Sequence, residues 1–153
     1  MNALATWALG LTLFAAPATS IEWMNDYGAA LKAARAERKP LLVVIENPSA
    51  RAVQIDAGWT DVMRIGQISL VDPQPAKELL SKYKLCRVDA STPYGQAVAK
   101  AFRTASYPTT AIIDRTGSVQ IFVKSGRLSE GEWRAALAKH QNGARPQPVI
   151  CST

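Results

Sequence analysis

The chain is poor in the residues that build reactive or metal-binding centres. It has two cysteines, Cys86 and Cys151, far apart in sequence, and a single histidine, His140. A disulfide scaffold needs more cysteines at closer spacing. A metal centre needs several converging Cys, His or carboxylate ligands, and no spacing here supplies one. There is no glycine-rich phosphate loop, no internal repeat, and no apolar run of the roughly 20 residues needed to span a bilayer. Basic side chains outnumber acidic ones, 18 to 12, but they are scattered. The densest group, Lys32, Arg35, Arg38 and Lys39, is interrupted by Glu37 and has no interleaved aromatics. That is the pattern of a solvated helix face, not the basic stripe of a nucleic-acid binder.

What is present begins with residues 1–20, which carry no charged side chain. Their apolar centre, residues 7–16, has the size of a signal-peptide core. Two small-residue triplets come after it, Ala16-Pro17-Ala18 and Ala18-Thr19-Ser20. No Lys or Arg precedes the apolar run. The pattern predicts a signal peptide over 1–20 and export to the periplasm or beyond. With no cysteine following the run, a lipoprotein anchor is not indicated. The remaining length suits one domain with one core, over 21–141, and a flexible tail over 142–153.

Residues 22–38 read as an amphipathic helix, with Trp23, Tyr27, Ala30, Leu31 and Ala34 at spacings of three and four. Asn25 or Asp26 caps it, and Pro40 stops it. Residues 41–45 are Leu, Val and Ile only, as in a strand buried on both faces. Residues 50–76, broken by Gly58, Gly66, Pro73 and Pro75, predict an irregular helix and a surface loop. A short helix over 76–83 precedes a second buried strand over 85–89, with Cys86 and Val88 on one face. Thr92-Pro93 starts a helix running to about residue 102. Two strands flank the turn Asp114-Arg115-Thr116-Gly117, the first beginning directly after Pro108. The capping box Ser129-Glu130-Gly131-Glu132 opens a last helix with Trp133, Ala136 and Leu137 on its apolar stripe. A buried parallel pair followed by a hairpin predicts an α/β protein, its mixed sheet covered by helices on both faces.

In this order the chain resembles the thioredoxin-like superfamily, most of all its secreted or periplasmic bacterial domains. The resemblance rests on Trp23, Tyr27 and Leu31 ahead of Lys39-Pro40-Leu41-Leu42-Val43-Val44, then Cys86-Arg87-Val88-Asp89, Tyr107-Pro108-Thr109-Thr110-Ala111-Ile112-Ile113-Asp114, Gly117 and the final helix. It covers roughly residues 21–141 and implies a three-layer α/β/α sandwich with a mixed central sheet. It also implies that Pro108 is cis and that the backbone beside it pairs with an extended peptide. The family's activity depends on a Cys-x-x-Cys after the first central strand, where one thiolate attacks a disulfide and the second resolves the mixed disulfide. The corresponding residues here, Asn47 to Val53, contain no cysteine, so the dithiol activity does not carry over. No catalytic residue, cofactor or metal is assigned. The expected function is a non-redox module that binds an unknown protein or extended peptide through Ser49, Arg51, Tyr107, Pro108 and Thr109. Ser49 and Arg51 also suit helix capping or an anion at a helix N-terminus.

The alternative is thiol–disulfide exchange through a single thiol, Cys86 or Cys151. Cys86 reads as a small buried hydrophobe in a core strand. Cys151 falls in the tail, where three pairings are open: a bond to Cys86 if the tail reaches the core, an intermolecular disulfide, or a mixed disulfide.

Overall fold

A computed structural model describes residues 21–48 and 74–145. The expected signal peptide, most of the 50–76 region, Ser49, Arg51 and Cys151 lie outside the described residues.

Five strands form one mixed sheet: β1 (Trp23–Met24), β2 (Leu41–Glu46), β3 (Lys84–Asp89), β4 (Thr109–Ile113) and β5 (Gln120–Ser125), in the order β1-β3-β2-β4-β5. β1 and β2 run parallel to β3, while β4 is antiparallel to both β2 and β5. The helices are α1 (Tyr27–Glu37), α2 (Gln74–Ser81), α3 (Pro93–Ala101) and α4 (Glu130–His140).

Strand alternation divides the core in two. Leu41, Val43, Ile45, Cys86, Val88, Ala111 and Ile113 meet Ala30 and Ala34 of α1 and Val98 and Ala99 of α3. On the other face, Leu42, Val44, Leu85 and Ile112 meet Leu80 of α2 and Trp133 and Leu137 of α4. This is the expected three-layer α/β/α sandwich with a mixed sheet. All six residues of β2 are buried. Each large apolar side chain so placed stabilises by about 1.5–3 kcal/mol.

The first helix departs from expectation at its start. Trp23 and Met24 form a strand, in register with Leu85 and Cys86. Trp23 packs into one core layer and Met24 into the other, which consecutive residues achieve in a strand and not on one helix stripe. The helix begins after Asp26, whose carboxylate accepts from the Ala29 N–H at 2.7 Å. It ends at Arg38, which sits in the left-handed region at φ 52°. Tyr94, near the start of α3, reaches across to α1. Its hydroxyl oxygen accepts from the backbone N–H groups of Tyr27 at 2.9 Å and Gly28 at 3.4 Å.

Thr92 caps α3 by accepting from the Gly95 N–H at 3.0 Å. Gly95 is required there for a second reason: a Cβ would fall 1.8 Å from the Asp89 carbonyl oxygen. The capping box of α4 is complete, with Ser129 and Glu132 each bonding the other's backbone N–H. Among the described residues no helix is long and apolar enough to cross a membrane.

Candidate functional site

The register places Tyr107, Pro108 and Thr109 at the end of the sheet where β2 finishes. Ile45 of β2 pairs with Thr109 at the start of β4, and Glu46 pairs with Asp89 at the end of β3. Pro108 therefore lies beside the end of the central strand. The Tyr107–Pro108 peptide bond is cis. The Pro108 carbonyl accepts from the Gly126 N–H at 2.8 Å, which ties it to the segment after β5.

Thr109 is fully buried. Its hydroxyl donates to the Ser106 carbonyl at 2.7 Å and lies 3.2 Å from the Ser125 hydroxyl. Its side chain braces the turn from inside instead of facing solvent. Ala105, Ser106 and Tyr107 are exposed, Tyr107 at 37%. Tyr107 and Pro108 thus lie at one site, with Thr109 beneath them. The described chain stops just short of Ser49 and Arg51.

One polar feature of this end escaped the sequence reading. Glu46 and Arg87 form an ion pair on the face lined by Leu42, Val44 and Leu85. The Glu46 side chain is only 9% exposed and that of Arg87 is 38% exposed. The signal was there: an arginine inside Leu85-Cys86-Arg87-Val88 needs a counter-ion, and a glutamate closes the neighbouring strand. A half-covered pair of this kind fixes geometry more than it adds stability.

Cys86 lies inside the sheet, with Val43 as its register partner. It is fully buried. Burial, followed by the nearby Asp26 charge, pushes its thiol up to about 12. A thiol held protonated is a poor nucleophile. His140 is half-buried against the Phe122 ring, 5.7 Å between centroids, and burial lowers its pKa. Cys86 is in the layer of α1 and α3 and Phe122 in that of α2 and α4, so the sheet separates the thiol from the imidazole. Among the described residues no group of three or more Cys, His, Asp or Glu is placed to hold a metal.

The opposite end of β4 is built differently. The Asp114 side chain has no exposed surface. It accepts from the backbone N–H groups of Ser118 at 2.8 Å and Val119 at 2.9 Å, from the Thr116 hydroxyl at 2.6 Å, and from Arg145 Nε at 2.9 Å. Burial pushes its pKa up, but the bonds from Thr116, Arg145, Val119 and Ser118 outweigh burial and hold it well below the usual carboxylate range. Arg145 Nη2 also donates to the Thr116 hydroxyl at 2.9 Å. Residues 142–145, the start of the expected flexible tail, are therefore held against the turn.

No family model matches the chain, and the search of curated proteins gave no match. Solved structures do match. A thioredoxin from Thermus thermophilus superposes with a TM-score of 0.57 at 20% identity, over 78% of this chain and 86% of that one. The C-terminal domain of DsbD from Neisseria meningitidis, in the oxidised form, superposes with a TM-score of 0.52 at 14% identity, over 77% of this chain and 98% of that one. At such identities the likeness is one of fold.

Proposed function

We propose, with the thioredoxin-like fold of this chain as the premise, that it is an exported, non-redox module. It docks an extended polypeptide on the backbone beside Pro108. One observation carries the reading: the exposed residues 105–107 adjoin the cis peptide at Pro108, while residues 47–53, directly after the central strand, contain no cysteine. A dithiol cycle needs one thiolate to attack and a second thiol to resolve, and that segment supplies neither. Main-chain hydrogen bonding to an extended peptide needs no thiol. Tyr107 flanks the docked chain with its ring, and Ser49 and Arg51, three and five residues past the end of β2, add polar contacts. The burial and raised pKa of Cys86 speak against the single-thiol alternative at that residue, which leaves Cys151 as its carrier.

Two measurements test the proposal. Insulin reduction by dithiothreitol should run no faster with the protein than without it. Acceleration that disappears in Cys86→Ser or Cys151→Ser would overturn the non-redox reading. Amide chemical shifts, tracked while an unfolded polypeptide is titrated in, should move most at residues 105–109; shifts confined to other elements would overturn the docking site. N-terminal sequencing of the native protein tests export, which predicts a start near residue 21.

A further inference from the structure

The end of β4 remote from Pro108 holds a constellation that the docking function does not use. The Asp114 carboxylate is completely enclosed, yet Arg145, its cationic partner among the described residues, has a side chain 52% exposed. The carboxylate's other three bonds come from the turn itself: the Ser118 and Val119 backbone N–H groups and the Thr116 hydroxyl. Gly117 closes this turn, its N–H donating to the Asp114 carbonyl at 2.8 Å. Arg145 reaches the constellation from another element, two residues beyond Gly143. The Gly143 carbonyl accepts from the Arg115 N–H at 3.2 Å, and Gly143 takes φ +56° with room for no Cβ, which would fall 2.8 Å from the Arg115 nitrogen.

The guanidinium fits because of its shape. Its Nε meets the carboxylate while Nη2 meets the Thr116 hydroxyl, so two donors at fixed spacing satisfy two acceptors. An ammonium is a point charge and cannot make that fork.

We propose that Asp114 and Thr116 form a guanidinium-recognition notch, occupied in cis by Arg145. Arg145 is the strap that holds the segment after α4 to the β4–β5 turn. Displacing the strap leaves a carboxylate with three donors from the turn and no cation, a site that a second guanidinium can refill by the same fork. The ligand class of the emptied notch is an alkylguanidinium, such as the arginine of another chain.

The full-length protein and its Arg145→Ala variant provide the test, with ethylguanidinium as the probe and ethylammonium at equal concentration as the control. Arg145→Ala should lower Tm by about 3–5 °C. Ethylguanidinium at tens of millimolar should restore at least half of that loss in the variant, leaving the wild type unchanged. Ethylammonium should restore none, and the double variant Arg145→Ala, Asp114→Asn should show no restoration. Equal rescue by both cations, rescue that survives Asp114→Asn, or an Arg145→Ala protein that melts like wild type would each overturn the notch. If Arg145→Ala fails to fold, Arg145→Lys, which keeps the charge and loses the fork, is read in the same way.

Discussion

At the Asp114 end of β4 an enclosed carboxylate takes four hydrogen bonds, one of them from a strap beyond α4; at the Pro108 end residues 105–107 are exposed. Only the five residues of β4 separate the two. The strand itself is uniform, buried at every position, so the contrast lies in the turns attached to its two ends. The first is a turn whose side chains answer its own backbone donors. The second is a turn braced from below by Thr109 and from the side by Gly126. One end is finished by its own polar groups. The other, among the described residues, ends in the exposed residues 105–107.

The comparison breaks first at Asp114. Asp114→Ala leaves two backbone N–H groups, the Thr116 hydroxyl and Arg145 without their acceptor, and should cost about 3 kcal/mol or more, since unmet buried polar groups cost roughly 1–3 kcal/mol each. Urea denaturation measures it. The sign with pH is fixed: a carboxyl whose folded pKa is depressed stabilises fully above its unfolded value. That contribution is lost as pH falls below about 4 toward the folded value. Asp114→Asn should therefore flatten the decline in stability below pH 4, and an unchanged acid slope would count against the role given to this carboxylate.

A smaller effect is expected at the other end. Glu46→Gln removes the charge that faces Arg87 and should cost about 1–2 kcal/mol by thermal or urea unfolding, below the 3–5 kcal/mol of a fully buried pair because Arg87 is part-exposed. A loss as large as that of Asp114→Ala would show both ends to be equally locked and erase the contrast. The smallest stability change belongs to Tyr107→Ala, within about 0.5 kcal/mol for an exposed residue. The same substitution should weaken peptide docking several-fold, measured by the amide-shift titration. Unaltered affinity would remove Tyr107 from the site.

The sheet was legible because its strands carry strong signals. Leu41 to Ile45 is apolar throughout, Asp114 and Gly117 mark a turn, and Ser129 with Glu132 announces a helix start. Trp23 and Met24 misled because Trp23 and Tyr27 also fit a helical spacing, and a two-residue strand has no periodicity of its own. Tyr107 and Pro108 were found through resemblance to a family and not from local chemistry. The Glu46–Arg87 and Asp114–Arg145 pairs were missed because each joins residues far apart in sequence. Only the register and the return of the chain after α4 bring them together.

The bond from α1 to Tyr94 has a consequence for how the molecule assembles. Two of the first N–H groups of α1 are answered by a phenol 66 and 67 residues later in the chain. The first turn of that helix is therefore complete only once α3 has docked. Protection of the Tyr27 and Gly28 amides from solvent exchange becomes a clock for that docking event, separable from the Ala29 amide, which Asp26 protects from within the same turn.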